Sequence, residues 1–328
     1  MFTIGRLGVC GTRLFAGVIF FAAGTMAAAD EPITKLRPEQ PPAPTSGETT
    51  PPKAAPQPVA QSPPAPANQT QSPASAAANA SAELEAARKL VDAGKLIEAR
   101  TAAMAILKRD KNQGEAAAAR ALLTRIADVT LFSVQPVAGD PLVEIYTVQS
   151  GDKLANVARR YNIPYDIILR INGISDASKL RLGQKLKIPL GPFHARISKS
   201  QYRLDLYLQD VFVRSFSIGL GKNDGTPTGE WRVRDRQPNP TYYPSESAPD
   251  KRVIAADDPS NPLGEYWIAL EGVSDEAVAK KGFGIHGTIE PQSIGKSESL
   301  GCIRMLNEDV AWVFAAVQPG KSMVTIER

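Results

Sequence analysis

The chain has 328 residues, which is enough for two or three domains that each bury a core of their own. Its 38 Lys and Arg residues nearly balance its 34 Asp and Glu residues, for a formal net charge of +4. This balance argues against a nucleic-acid-binding protein, which would show a strong basic excess. With only two histidines and two cysteines, the sequence has no CxxC or HExxH ligand pattern, so we expect neither a metal nor a cofactor.

The N-terminus has the pattern of an export signal. Arg6 and Arg13 precede the apolar run LFAGVIFFAAGTM, and small residues follow it. We therefore predict a signal peptide over 1–29 and an exported protein of the periplasm or cell wall. The alternative is a retained membrane anchor, but this run is short against the roughly 20 residues that a spanning helix needs. Cleavage would remove Cys10 and leave Cys302 as the only thiol, without a partner for an internal disulfide.

Two segments of different character follow the signal. Residues 30–80 are dominated by Pro, Ala, Gln, Ser and Thr and have too few large apolar side chains to offset the entropy of ordering, so we predict a disordered linker. Between 81 and 130 the apolar residues recur at helical spacing, and the region around DAGKLIEA resembles a tetratricopeptide-type hairpin. We predict a helical spacer there, with a repeat that binds a protein partner as the alternative.

Residues 144–190 read as strand, helix, helix and strand. A β-like run over Ile145 to Val148 leads into SGD, two short stretches with apolar residues at helical spacing follow, and KLKIP closes the segment. The segments YTVQSGD, RINGISD and LRLGQKLKIP resemble a LysM domain in content and order.

The LysM resemblance implies a module that binds N-acetylglucosamine-containing glycans, such as peptidoglycan or chitin, and that is not catalytic. By the same resemblance, the sugar groove lies near Gly151, Asp152 and Lys153 and near the loop that contains Asn172 and Gly173. For each of these residues, a role in a turn or a cap is the alternative.

The remaining residues, 193–328, alternate between apolar and polar side chains as strands do. In YRLDLYLQDVFVRSFSIGLG, Leu204, Leu206 and Leu208 share one face, and the polar pair QD predicts a hairpin into the next strand. EWRVRD, YWIAL and SMVTIE read as further strands, and NEDVAWVFAAV reads as a helix. We therefore predict an α+β multidomain protein: a helical spacer, a small βααβ module and a mainly-β C-terminal domain.

The stretch GIHGTIEPQSIGKSESLGCIRMLNED contains His286 and Cys302. A cysteine is ionised to only a few per cent at neutral pH, so a nucleophilic cysteine needs a nearby base or positive charge. His286 lies where an apolar run enters a glycine turn, whereas His194 opens a strand and is expected to have no role. Gly301 suits a tight turn whose backbone N–H groups face a developing oxyanion. From the residues alone, a structural cysteine beside a core histidine remains the alternative.

This stretch, with GKNDGTPTGEW and NPLGEYWIAL upstream, resembles the L,D-transpeptidase (YkuD-like) catalytic domain. The resemblance implies that Cys302 is the nucleophile, that His286 is its general base, and that the backbone carbonyl of Gly287 orients the imidazole. It also implies that Ser299 and Gly301 line the approach to the nucleophile, with backbone N–H groups around Gly301 and Cys302 as the oxyanion hole.

Two further positions follow from the same comparison. Arg304 matches a family arginine, which would order the site electrostatically or contact a substrate carboxylate. Many members of the family read SHGC, whereas Leu300 precedes Gly301 in this chain. His286 is then the only histidine available, which implies a different substrate preference or lower activity. Tyr242 and Tyr243, in the loop QPNPTYYPSE, are either stacking residues or ordinary loop aromatics.

Both resemblances imply an enzyme of the cell wall. Cys302 would attack the carbonyl of the third residue of a peptidoglycan tetrapeptide stem, release D-alanine, and pass the acyl group from a thioester to an amine. The alternatives are an L,D-carboxypeptidase, an enzyme that attaches wall proteins, and a non-catalytic peptidoglycan-binding scaffold. We expect glycan strands and stem peptides as partners, with a protein partner of the helical segment only under the alternative reading of that segment. We expect no nucleotide, because neither GxGxxG nor a Walker lysine occurs.

Overall fold

The computed structural model describes residues 73–109, 113–244 and 250–328. The predicted signal peptide, and the predicted linker up to residue 72, lie outside these ranges. Helix α1 (Pro73–Asp92) begins eight residues before the predicted start of the helical segment. Its first residues, PASAAANA, were predicted to belong to the disordered linker because of their composition. They are also rich in alanine, the best helix former, and they form the first turns of α1. Among the described residues, no helix is both long and apolar enough to cross a membrane.

The first three helices pack against one another. Helices α2 (Leu96–Arg109) and α3 (Gln113–Thr130) follow α1, and Gly94, with a φ of +73°, forms the turn between α1 and α2 without strain. Alanine makes up much of the contact surface, which lets the helices approach closely. The buried residues of this cluster include Leu84, Ala87, Ala99, Ala103, Ala119, Leu122, Leu123 and Ile126.

The next segment has the βααβ order that the sequence predicts. Strand β1 (Val143–Thr147) is followed by helices α4 (Leu154–Arg160) and α5 (Tyr165–Ile171) and by strand β2 (Lys185–Pro189). β1 and β2 pair in antiparallel fashion, from Val143 opposite Pro189 to Thr147 opposite Lys185. The apolar sides of both helices are buried, so the helical spacing read from the sequence is confirmed here.

The C-terminal domain is built on one large sheet, and the α+β class is confirmed. Its eight strands, in chain order, are β3 (Phe193–Ser198), β4 (Arg203–Leu208), β5 (Val211–Ser217), β7 (Gly229–Pro238), β8 (Tyr266–Gly272), β9 (Gly284–His286), β11 (Ile303–Arg304) and β12 (Met323–Glu327). In space they follow the order β11-β9-β8-β7-β12-β3-β4-β5. A second pair joins β6 (Leu220–Gly221) to β10 (Ser297–Ser299), and helix α6 (Asn307–Ala316) follows β11.

The first three helices pack against one end of this sheet, at β4 and β5. Tyr207 on β4 and Phe212 on β5 belong to the same buried cluster as the helices, and the backbone N–H of Phe212 donates to the sulfur of Met104 at 3.4 Å. Arg120 on α3 pairs with Asp205 on β4 at 3.0 Å. β4 is therefore buried on both faces, and the helices are part of the packed core.

The LysM-like module is also packed against the C-terminal domain. Arg170 on α5 lies 3.6 Å from the centroid of the Trp312 ring on α6. Arg236 on β7 pairs with Asp166 on α5 at 3.0 Å. One continuous hydrophobic cluster includes residues of both parts. The module is therefore held in a fixed place beside the sheet.

A buried ion pair fixes the helices to the segment that enters β1. Arg100 on α2 donates two hydrogen bonds to the carboxylate of Asp140, at 2.9 and 2.7 Å, and the side chains are 8% and 0% exposed. Asp140 also accepts the backbone N–H of Leu142 at 3.0 Å. With this third bond, the buried carboxylate is well satisfied.

Removal of Arg100 should therefore be costly. We expect Arg100→Met to lower the free energy of unfolding by about 3 to 5 kcal/mol, because it leaves a buried carboxylate unpaired. The double variant Arg100→Met with Asp140→Asn should lose less, since it removes both charges. Urea unfolding measures both effects, with Arg232→Met as the control because the Arg232–Glu271 pair is about half exposed and should contribute roughly 1 kcal/mol or less. Equal losses in the single and double variants would contradict this account.

Candidate active site

The site is assembled by two very short parallel strands. β9 and β11 pair in register, with Ile285 beside Ile303 and His286 beside Arg304. Successive side chains of a strand point to opposite faces. Because Ile285 and Ile303 are both fully buried in the core, His286 and Arg304 face the other side, as does Cys302 directly before β11. Residues sixteen positions apart in sequence thus line the same pocket.

His286 is buried and held in one tautomer. Its Nδ1 lies 2.6 Å from the backbone carbonyl oxygen of Gly287, which can only accept, so Nδ1 carries the hydrogen and Nε2 is left as a proton acceptor. The indole of Trp267 stacks on the imidazole at 5.8 Å. Burial lowers the pKa of His286 to about 4, the nearby charge of Arg304 acts in the same direction, and the bond to Gly287 opposes both. The imidazole is therefore neutral at neutral pH.

Cys302 is half-buried, and its thiol is also neutral. Desolvation raises the pKa of Cys302 to about 11, although a backbone hydrogen bond at Gly284 and the charge of Arg304 act to lower it. The thiol contacts the carbonyl oxygen of Gly282 at 3.6 Å. At neutral pH the two groups are thus a neutral thiol and a neutral imidazole.

Ser299 holds the turn that contains Cys302. Its buried hydroxyl donates to the carbonyl of Cys302 at 2.7 Å and accepts the backbone N–H of Gly301 at 3.1 Å. The expectation that the Gly301 N–H faces the oxyanion is therefore not met, because its single hydrogen is already directed at Ser299. Of the two N–H groups proposed for the oxyanion hole, that of Cys302 remains the candidate.

The hydroxyl of Thr226, a residue that the sequence analysis did not single out, anchors the same turn. Thr226 is fully buried; its hydroxyl donates to the carbonyl of Gly301 and accepts the N–H of Gly221, both at 2.8 Å. Gly301 has a φ of +139°, and a Cβ there would lie 2.8 Å from the ring of Phe283. Glycine is thus required by both conformation and space. The TPTG segment was the signal that could have identified Thr226.

The loop after His286 is fixed by Asn307, the first residue of α6. Its amide donates to the carbonyl of Thr288 at 3.3 Å. Its Oδ1 is buried without a hydrogen-bond partner and lies where a Cβ of Gly287 would be. A side chain at position 287 would therefore displace the carbonyl that orients the imidazole. Nothing in the sequence pattern pointed to Asn307 beyond its place after GCIRM.

Arg304 lies at the edge of the pocket. Its Nη1 donates to Glu290 at 2.7 Å, and its side chain is mostly buried whereas that of Glu290 is half exposed. The Nε of Arg304 is buried without a partner. The guanidinium is thus only partly neutralised, which is why it influences the pKa values of both His286 and Cys302.

The pocket has a volume of about 400 Å³ and is largely apolar. Leu300 and Tyr243 belong to its wall and are 52% and 73% exposed, so the residue directly before Gly301 offers an aliphatic surface. The other residues of the wall include Pro240, Thr241, Tyr242, Pro262, Leu263 and Trp267. Within 73–109, 113–244 and 250–328, no group of three or more His, Cys, Asp or Glu side chains is arranged to hold a metal ion.

The second histidine belongs to the sheet. The Nδ1 of His194 accepts the backbone N–H of Met323 at 3.1 Å, and burial lowers its pKa. It is not part of the pocket that contains Cys302. A structural role is therefore sufficient to explain it.

The candidate glycan-binding residues fall into two groups. Gly151, Asp152 and Lys153 line an open pocket on the surface of the LysM-like module. Asn172 is occupied: its amide donates to the carbonyls of Ile168 and Lys187, both at 2.8 Å, and accepts the N–H of Lys187. Gly173, with a φ of +63°, forms the turn after α5. The hydrogen bonds of Asn172 favour the turn-forming role for that residue.

Known proteins match both parts of the chain. The family described as "L,D-transpeptidase catalytic domain" (YkuD) matches residues 192–326, and the family "LysM domain" matches 146–189. The YkuD protein of Bacillus subtilis, named as an L,D-transpeptidase, is 34% identical over 190 residues, which cover 56% of this chain and 98% of that protein. Its counterpart in Bacillus licheniformis is 31% identical with the same coverage. YcfS of Escherichia coli, also named as an L,D-transpeptidase, is 29% identical over 56% of this chain and 63% of its own length.

The bonds of Thr226 predict how its loss acts. Thr226→Val should leave the N–H of Gly221 and the carbonyl of Gly301 unsatisfied, at a cost of about 1 to 3 kcal/mol for each buried group. We expect a lower melting temperature and roughly tenfold faster alkylation of Cys302 under native conditions, because a loosened turn exposes the sulfur to solvent and reduces the desolvation that raises its pKa. Thr226→Ser keeps the hydroxyl and should behave like the unaltered protein. Unchanged stability and alkylation in Thr226→Val would show that the hydroxyl does not anchor the turn.

Proposed function

Because the chain belongs to the L,D-transpeptidase family, we propose that it is a peptidoglycan L,D-transpeptidase that acts through a thioester on Cys302. The main support is the location of the Cys302 thiol and the His286 imidazole in one pocket. The bond from Nδ1 to Gly287 adds to it, since it leaves Nε2 available as the base. A cysteine placed there only for packing would not need a histidine with a fixed tautomer beside it.

In the proposed acylation, Nε2 of His286 takes the proton of the Cys302 thiol as the sulfur attacks the carbonyl carbon of the third residue of a tetrapeptide stem. The carbonyl oxygen becomes an oxyanion, for which the N–H of Cys302 is the candidate donor. The bond to the amine of the terminal D-alanine then breaks. His286 returns its proton to this amine, D-alanine leaves, and the acyl group stays on the sulfur as a thioester.

Deacylation repeats these steps with a different nucleophile. An amine from a neighbouring stem loses a proton to His286 and attacks the thioester carbon, and the Cys302 sulfur leaves and is reprotonated. The product is a cross-link, and the thiol is restored. If water attacks instead, the product is a shortened stem and the enzyme acts as an L,D-carboxypeptidase. An amine on a wall-anchored protein would give protein attachment.

The neutral state of the resting pair has a mechanistic consequence. A thiolate formed in advance would be nucleophilic but would also react with other electrophiles. With the pKa of the thiol at about 11 and that of the imidazole at about 4, proton transfer is coupled to attack on a bound carbonyl. The buried setting therefore favours reaction with a positioned substrate.

We propose that the chain is exported and works at the peptidoglycan layer. The N-terminal pattern of two arginines and an apolar run supports export. The LysM match supports contact with glycan strands, and the packing of this module against the C-terminal domain would keep a glycan-binding surface on it at a constant distance from the pocket. A non-catalytic scaffold would not require the ordered hydrogen bonds of Ser299, Thr226 and His286.

Mass spectrometry of a disaccharide-tetrapeptide incubated with the mature protein tests the activity. We expect dimers that lack one D-alanine, and we expect no conversion with Cys302→Ala. His286→Asn should slow D-alanine release by at least about a hundredfold through loss of the general base. His194→Asn is the matched control and should leave the rate unchanged, because Asn can still accept the N–H of Met323. Shortened monomers in place of dimers would identify a carboxypeptidase, and unchanged substrate in every sample would favour the scaffold.

The pKa values predict the pH dependence of acylation. The reactive form has a protonated Cys302 and an unprotonated His286, and it predominates from about pH 4 to about pH 11. As pH falls through about 4 the imidazole gains a proton and the rate should drop, whereas between pH 5.5 and 9 it should change less than about threefold. First-turnover release of D-alanine measures this step alone. A bell-shaped profile with limbs near 6 and 8 would contradict the pKa values of about 4 and about 11 on which this prediction rests.

A further inference from the structure

The LysM-like module has an open pocket that is rich in hydrogen-bond donors. It lies between the turn after β1 and helix α4 and has a volume of about 460 Å³. Three of its residues are cationic, and Lys153, Arg159 and Arg160 are all exposed. The other three are Gly151, Asp152 and Asn156.

The single carboxylate of the pocket is committed to internal bonds. Asp152 accepts the hydroxyl of Tyr146 at 2.6 Å and the backbone N–H of Gln149 at 2.8 Å through the same oxygen. These bonds hold the pKa of Asp152 below its usual range. Its negative charge therefore fixes the turn and neutralises the surrounding cations only in part.

The cations are also oriented. Arg160 donates to the Tyr146 hydroxyl at 3.0 Å and lies 5.2 Å from the centroid of that ring, so one edge of the guanidinium is fixed and the rest faces outward. Arg159 donates one bond to Asn156 at 3.3 Å. Each guanidinium has five N–H donors, so most of them remain for a ligand. A surface of this kind complements a group that has several acceptor oxygens and a negative charge.

The charge of the whole module points the same way. Residues 144–189 contain eight Lys and Arg residues against four Asp and Glu residues, a net charge of +4, which equals that of the entire chain. The remainder of the sequence is thus balanced. A neutral glycan would gain nothing from this local excess, whereas an anionic one would be attracted.

We propose that this pocket selects glycan strands that carry carboxylates over neutral N-acetylglucosamine polymers. The inference rests on the proposed function for the wall polymer and adds its chemical class. Carboxylates have two sources in that polymer: the lactyl group of muramic acid, where it is free, and the acidic residues of the stem peptides. Lys153, Arg159 and Arg160 would pair with these groups while the sugar contacts the turn at Gly151.

The test is co-sedimentation of the full mature chain with insoluble polymers, in a Cys302→Ala background so that the polymer is not altered. Four polymers are compared: intact peptidoglycan, peptidoglycan whose carboxylates are converted to amides, glycan strands stripped of stem peptides, and chitin. Lys153→Gln and Arg159→Gln remove one charge each from the pocket. Lys185→Gln, an exposed lysine on β2 outside the pocket, is the matched control.

We expect amidated peptidoglycan and chitin to bind at least fivefold more weakly than intact peptidoglycan at low salt, and this difference to shrink as salt screens the charges. Lys153→Gln and Arg159→Gln should each weaken binding to intact peptidoglycan about two- to fivefold, as loss of an exposed ion pair does, and Lys185→Gln should not.

Retained binding to stripped strands would identify lactyl carboxylates as the ligand, and its loss would identify stem carboxylates. Equal binding of amidated and intact polymer, or an equal effect of Lys185→Gln, would overturn the proposal. Because binding is read without turnover, this outcome is independent of whether Cys302 is the nucleophile.

Discussion

The parallel pairing of β9 with β11 is the constraint on which the site depends. Two strands of three and two residues have few ladder bonds of their own, so their neighbours have to hold them. The backbone N–H of Met305 donates to the carbonyl of His286 at 2.9 Å, and Arg304 exchanges two bonds with Gly219 on the other side, at 2.9 and 2.8 Å. β11 is thus fixed between two segments. A shift by one residue would turn Cys302 and Arg304 into the core and Ile303 into the pocket.

Burial of the pair has a cost that the surrounding hydrogen bonds offset. Both groups are held in their neutral forms, so neither of them adds a buried charge. The Nδ1 of His286 is bonded to Gly287, and the turn that contains Cys302 is bonded to Ser299 and Thr226. The close approaches at Gly287 and Gly301 leave no room for a side chain. The glycines beside His286 and Cys302 are therefore required by the packing around the site. Access for a substrate backbone would be a second reason for glycine at these two positions.

Sequence patterns predicted the helices and strands better than they predicted which other elements pack against them. The two strands and two helices of the LysM-like module, the β4–β5 hairpin and α6 each have a clear apolar period, and all are present. The alternation in β4 predicted one buried face, but the helices cover the second face, which no local pattern could indicate. The start of α1 was missed because alanine occurs both in helices and in low-complexity segments.

Within the site, the sequence indicated the proposed nucleophile and base and missed the residues that position them. Cys302 and His286 are conspicuous because both residue types are scarce in this chain. Thr226 and Asn307 are ordinary residues in sequence, and their importance comes from long-range contacts, 75 residues apart in the case of Thr226 and Gly301. The N–H of Gly301 was predicted to face the oxyanion, but it donates to Ser299. The sequence predicts the turn but does not show which of its backbone N–H groups bonds to the Ser299 hydroxyl.

The fixed packing of the LysM-like module changes how it can contribute. On a flexible tether, a binding module raises the effective concentration of the enzyme over a range set by the tether. Here Arg170 and Trp312 join α5 to α6, and α6 begins at Asn307, which contacts the loop that orients His286. On the proposed function, a glycan held at the turn around Gly151 would therefore be presented in one orientation relative to the pocket. Such an arrangement would favour stem peptides at a particular spacing along the bound strand over the wider range of stems that a flexible tether could reach.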